Sequence, residues 1–223
     1  MSVRAPRIGV IDYGMGNRRS VQKALERVGA AAAITNDHGE LLEADGLVLP
    51  GVGAFPLAMR NLRSLGLDEL IKRRVDDGTQ LLGICLGMQL LFETSDELKE
   101  TEGLGLLDGA VTELRTDGLR VPHIGWNEVR FERPSRLTEG LPDPGCAFYH
   151  VHSYAARPSD AADVAGTTDY GERFATIVER GTVAGVQFHP EKSSAHGLRL
   201  LANFVSLCGI GEVRARAAAP SRA

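Results

Sequence analysis

Through its first half the chain repeats one pattern: a short apolar run closed by Gly, Asp or Pro, then a longer amphipathic stretch. Residues 7–12 (RIGVID) read as a buried strand, and residues 17–29 place Val21, Leu25 and Val28 at helical spacing before Gly29 as a stop. Strands follow at 31–35 and 46–50, a helix around 67–78 and a strand at 80–84. This alternation predicts an α/β fold, a parallel sheet with helices on both faces, and ligands at the carboxyl ends of the strands. The second half differs. NEVRFERPS and RFATIVERGTVAGVQF, the latter turning at residues 179–182, read as antiparallel strands and a hairpin, so the sheet is expected to be mixed. A last helix places Leu198, Leu201, Val205 and Cys208 on one face, and the residues after it lack a core-facing pattern. The expectation is one domain over residues 1–210 and a flexible tail over 211–223.

Composition narrows the functional classes. With 223 residues, 43% of them hydrophobic, the chain supports one sizeable core. A net charge of −4 with scattered basic residues leaves no footprint for nucleic acid. No apolar stretch has the length of a membrane span or a signal-peptide core, so neither a membrane nor secretion is expected. Cys85, Cys146 and Cys208 are odd in number and lack C-x-x-C spacing, which argues against a disulfide framework and a zinc site and favours a cytoplasmic location.

Residues 81–91 (LLGICLGMQLL) raise a chemical question, because a strand ending in G-x-C-x-G runs straight into an apolar helix. Glycines around a sharp strand-to-helix turn let the central side chain stand above the sheet edge, the form of a nucleophile elbow. A thiol there gains from the helix N-terminus, and the N–H of Leu86 can stabilise an oxyanion. The competing reading is a buried cysteine acting as a small hydrophobe. Among the histidines, His38 and His196 read as solvated. His123, His150 and His152 fit either a site, an interface or a half-buried structural role. His189 ends an apolar strand in GVQFHPEKS, with Glu191 two residues on, where strand alternation would put both on one side. Cys85, His189 and Glu191 together form an acyl-transfer set. Residues 49–55 (LPGVGAF) end another strand with Gly51 and Gly53, either a backbone cradle for a ligand or a tight turn. The G-x-G in residues 12–17 is too short to mark a dinucleotide site.

PGVGAF, GICLGMQLLFE, VPHIGWNEV, HVHSY and GVQFHPEKS, in this order, resemble the class I (triad) glutamine amidotransferases, from about Arg7 to Cys208. IDYGMGN, PGVGAF and PHIGWNEV make the chain most similar to the glutaminase subunits of imidazole glycerol phosphate synthases of histidine biosynthesis. The resemblance implies a flavodoxin-like, mostly parallel open sheet and hydrolysis of L-glutamine through a thioester on Cys85, with His189 and Glu191 completing the triad. Leu86 and the Gly51, Val52 and Gly53 backbone would form the oxyanion hole, and Gln89, Glu97, Ser153 and Tyr154 would hold glutamine. Asn17, His123, Trp126, Tyr149 and Lys192 would meet a (β/α)8-barrel cyclase subunit in a heterodimer, and no metal or organic cofactor is implied. The family has an apolar residue after GMGN, where this chain has Arg18 and Arg19; Arg18 is expected to reach an acid of the partner or solvent. Other readings are an amidotransferase subunit of another synthase, a glutamine-binding module without turnover, and a redox-sensing thiol, the last lacking a resolving cysteine nearby in sequence.

Overall fold

A computed structural model describes residues 4–218, with side chains through residue 209. The first half alternates as the periodicity predicts: β1 (Arg7–Ile11), α1 (Arg18–Arg27), β2 (Ala31–Thr35), α2 (His38–Leu42), β3 (Gly46–Gly51), α3 (Phe55–Ser64), α4 (Leu67–Asp76), β4 (Gln80–Cys85) and α5 (Leu86–Gln89). Then come β5 (Phe92–Ser95), β6 (Thr101–Glu102), β7 (Leu107–Glu113), β8 (His123–Phe131), β9 (Gly145–His152) and β10 (Tyr154–Pro158). The chain continues through β11 (Val164–Tyr170), β12 (Glu172–Arg180), β13 (Val183–Val186) and α6 (Ser194–Ala218).

Nine strands form one open sheet in the order β2-β1-β3-β4-β13-β12-β11-β8-β9. From β2 to β13 the pairing is parallel, and from β13 to β9 it is antiparallel. The hairpin expected at residues 179–182 is present, with Arg180 opposite Val183. Period-two alternation divides the central strands between two cores. Leu47, Leu49 and Leu81 pack toward α3 and α4, whereas Val48, Leu82 and Ile84 pack toward α1 and α6. The mixed α/β sheet with helices on both faces therefore stands as read from the sequence.

Helices α2 and α3, strands β9 and β11 and the second sheet went unread there. Helix α3 buries Phe55, Ala58, Met59 and Leu62, an i, i+3, i+4, i+7 stripe opened by Pro56 near its start. In the second sheet, β10-β7-β5-β6, β5 and β6 pair as near neighbours, whereas β7 pairs with β5 and with β10 across longer stretches of chain, so no single local pattern announces it. Helix α6 buries Leu200, Leu201, Phe204, Val205 and Cys208, while Leu198 is half-buried. Its backbone runs on to Ala218, within the stretch expected as a tail, and residues 219–223 of that stretch lie outside the described residues. Among the described residues, no helix is long and apolar enough to cross a membrane.

Candidate active site

Strand β3 and strand β4 end side by side, with Gly51 paired to Cys85 in parallel register, and β13 flanks β4 on its other side. Carboxyl ends of parallel strands near a reversal of strand order are where such sheets bind ligands. At the end of β4 the backbone turns sharply, with Cys85 at φ 55° and ψ −112°. A non-glycine residue held there stores roughly 1–3 kcal/mol of strain, which the surrounding packing must offset. Gly83 and Gly87 make the turn possible. A Cβ on Gly83 would stand 2.6 Å from the Gly87 carbonyl oxygen, and one on Gly87 would overlap the Leu49 carbonyl. Cys85 is thus lifted over the sheet edge at the start of α5, whose first amides have no partner inside the helix.

His189 follows β13 and is buried. Its Nδ1 donates to Glu191 Oε1 at 2.8 Å, a carboxylate oxygen that can only accept, which leaves Nε2 for the thiol. Burial alone would lower the His189 pKa. Hydrogen bonding and charge from Cys85 and Glu191 outweigh it and push the pKa up to about 10. Glu191 reaches the ring by a route other than the strand alternation expected from the sequence. Pro190–Lys192 form a 3-10 turn, because Pro190 presets a helical φ, and the turn swings Glu191 back under His189. The second oxygen of Glu191 is buried without a partner, and Asn17 Nδ2 donates to the first at 3.4 Å.

These groups open on a cleft of about 270 Å³, lined by Val52, Gly53, Cys85, Leu86, Gln89, Glu97, Ser153, Tyr154, His189 and Lys192 among others. All four residues expected to hold glutamine therefore reach it. Gln89 is buried, and its Nε2 donates to the Tyr154 carbonyl at 2.9 Å and to Gln187 Oε1 at 3.1 Å. Glu97 also accepts the Phe55 N–H at 2.7 Å, placing negative charge at the start of α3. Three further groups come from the fold: Gln187, fully buried with Nε2 3.9 Å from Cys85 Sγ; the Val151 carbonyl, 3.6 Å from the same sulfur; and His152 in the cleft wall. Gln187 had a signal in the sequence, a lone amide inside the apolar run GVQF.

Of the residues expected at a partner face, Trp126 is 54% exposed and packs edge-on to Tyr149, over whose ring Lys192 Nζ lies at 5.9 Å. His123 is a correction. It is 2% exposed, stacked on Tyr170 and bonded to His152, because it faces inward on β8 while Ile124 and Trp126 face outward. Arg18, beside the expected partner face, forms an ion pair with Asp12 of its own chain.

Comparison with known proteins gives the family and the fold. The family model for glutamine amidotransferase class-I matches residues 9–208. An imidazole glycerol phosphate synthase subunit HisH of Moorella thermoacetica is 54% identical over 200 residues, spanning 90% of this chain and 94% of that one. The protein of the same description from Aquifex aeolicus is 53% identical over 196 residues, spanning 87% and 94%. Among solved structures, a glutamine amidotransferase superposes with a TM-score of 0.70 at 24% identity, covering 91% of this chain and 98% of that one. PurLQS from Thermotoga maritima matches with a TM-score of 0.70 at 20% identity, covering 94% and 99%.

Proposed function

The chain belongs to the class-I glutamine amidotransferases, and from that premise we propose that it is the glutaminase subunit of an imidazole glycerol phosphate synthase, working in the cytoplasm. It hydrolyses L-glutamine and passes the ammonia to a partner subunit. The observation that carries the chemistry is the strained Cys85 elbow beside a His189 whose Nδ1 is held by Glu191 at 2.8 Å.

The Cys85 thiolate attacks the side-chain amide carbon of glutamine, forming a C–S bond and an oxyanion. The Leu86 N–H and the Gly51, Val52 and Gly53 backbone stabilise that charge. His189 delivers its proton to the departing nitrogen, the C–N bond breaks, and ammonia leaves a glutamyl thioester. His189 then takes a proton from water, which attacks the thioester, releases glutamate and restores the thiolate. Gln89, Glu97, Ser153 and Tyr154 seat the amino-acid portion of the substrate.

The partner is a (β/α)8-barrel cyclase, bound as a heterodimer, that turns the ammonia into imidazole glycerol phosphate and an aminoimidazole carboxamide ribotide. Continuity of surface supports its docking place, since exposed Trp126 contacts Tyr149, Tyr149 lies under Lys192, and Lys192 lines the cleft. The test is glutamate release from glutamine by the chain and by Cys85→Ala, each with and without the purified cyclase barrel carrying its nucleotide. Barrel-stimulated release that vanishes in Cys85→Ala supports the whole reading. Release dependent on Cys85 but indifferent to the barrel overturns the partner, and no release in any mixture overturns the glutaminase.

A further inference from the structure

Three histidines, His123, His150 and His152, are buried beside the cleft, and the acyl-transfer chemistry uses none of them. Among the described residues no group of His, Cys, Asp and Glu side chains is arranged to hold a metal ion. Their ring nitrogens are instead spent on one another, on backbone carbonyls and on the side chains of Asn127 and Thr176. Strands β8 and β9 place His123 opposite His152 in antiparallel register. His123 Nδ1 lies 3.0 Å from His152 Nε2, His152 Nδ1 lies 2.9 Å from the Tyr154 carbonyl, and Asn127 Nδ2 lies 3.3 Å from His123 Nε2.

The direction of each bond follows from its two ends. A carbonyl can only accept, so His152 Nδ1 carries the hydrogen. Burial drives both rings to the neutral form, His152 down to about 3 and His123 to about 4. A neutral His152 then has a bare Nε2, and His123 Nδ1 must donate to it. That leaves His123 Nε2 as an acceptor, which needs a donor from Asn127. Asn127 is oriented independently: its Oδ1 accepts the Glu128 N–H at 2.8 Å and its Nδ2 donates to the Asp169 carbonyl at 3.0 Å. Both ends of the chain thus require the same direction, Asn127 to His123 to His152 to Tyr154. The ring planes are held as well, His123 stacking on Tyr170 at 4.0 Å and on His150 at 4.9 Å.

The end of this relay is the same Tyr154 carbonyl that accepts from Gln89 in the cleft. We propose that His123 and His152 are positioning residues, a one-way hydrogen-bond relay that sets the peptide of Tyr154 and so holds the Ser153–Tyr154 wall in its substrate-binding position. The relay starts on β8, whose opposite face carries exposed Ile124 and Trp126, so a shift of that strand reaches the substrate wall. The substrate part of this assignment rests on the glutaminase reading above.

Two measurements test it. In nitrogen NMR of histidine-labelled protein at neutral pH, both His123 and His152 are expected as neutral Nδ1–H tautomers; an Nε2–H tautomer at either position overturns the relay. In the glutaminase assay with the cyclase barrel, His123→Phe keeps the ring but removes the donor. The KM for glutamine should then rise roughly tenfold, the size of effect one unpaired buried acceptor produces, with kcat within about twofold. His123→Asn, whose amide N–H stands in for Nδ1–H, should restore most of the loss. An unchanged KM in a folded His123→Phe, or equal defects in both variants, overturns the proposal. Wild-type protein that shows the Nδ1–H tautomer at both positions yet releases no glutamate counts against the glutaminase reading and leaves the relay standing.

Discussion

Ser193 Oγ donates to the His189 carbonyl at 2.6 Å and accepts the Tyr149 N–H at 3.0 Å, while the His189 N–H donates to the Tyr149 carbonyl at 2.9 Å. The backbone of the general base is thereby tied to a strand whose Tyr149 ring lies on the proposed partner face. The tie is dry, since Ser193 is fully buried.

Ser193→Ala therefore strands the Tyr149 N–H away from water, while the His189 carbonyl keeps the Lys192 N–H at 3.0 Å. The expected loss of stability is about 1–3 kcal/mol, read as a fall in the urea midpoint with the slope unchanged. Because the His189 backbone loses one of its two ties to Tyr149, kcat should fall more than KM rises, and a variant with normal kcat would show that the tie is structural alone.

The pH dependence of stability has a definite sign. His189 binds its proton more tightly in the folded chain, at a pKa of about 10 against 6.5 in the free side chain. Its contribution is complete below about pH 6.5 and is lost as pH rises through about 10. Urea melts between pH 6 and pH 10 should show wild type losing more stability than His189→Gln, and parallel curves for the two would contradict the raised pKa.

Gly87→Ala is expected to cost about 3 kcal/mol, because its Cβ would overlap the Leu49 carbonyl and neither backbone segment can yield without moving the elbow. Activity should be lost with it. Calorimetry on this variant and on Gly29→Ala, whose Cβ would meet nothing within 4 Å, separates crowding from strain at positive φ.

Trp126→Ala removes a half-exposed aromatic that contacts Tyr149. Binding to the barrel should weaken by about 2 kcal/mol or more, the scale of an aromatic anchor at an interface. Melting temperature should scarcely change. Calorimetric titration with the barrel reads the first and a thermal melt the second; unchanged binding would move the docking face elsewhere.

Much of this molecule is written in local pattern. Apolar runs of strand length, helical spacing in α1 and α4, and the G-x-C-x-G elbow each depend on contacts within a few residues, so the parallel half of the sheet and the place of Cys85 follow from order alone. Where the sequence reading stopped, a local signal was masked or absent. Helix α3 carried its stripe but followed a glycine-rich segment that drew attention to a turn. Glu191 sat at strand spacing from His189, yet Pro190 converts that spacing into a 3-10 turn.

His123, His150 and His152 mark the boundary most clearly. Their composition is visible in VPHIGW and FYHVHSY, but an imidazole can be a ligand, a base or a buried neutral donor, and nothing in the neighbouring residues chooses among these. The choice came from the register of β8 against β9, which set His123 on His152, and from the burial that strips both rings of charge. Element type and the position of the nucleophile were determined by sequence, because periodicity and backbone sterics act over one or two turns. The state of each histidine, the burial of His123 and the pairing of Arg18 with Asp12 were decided by tertiary structure, because dielectric and hydrogen-bond partners come from segments far along the chain.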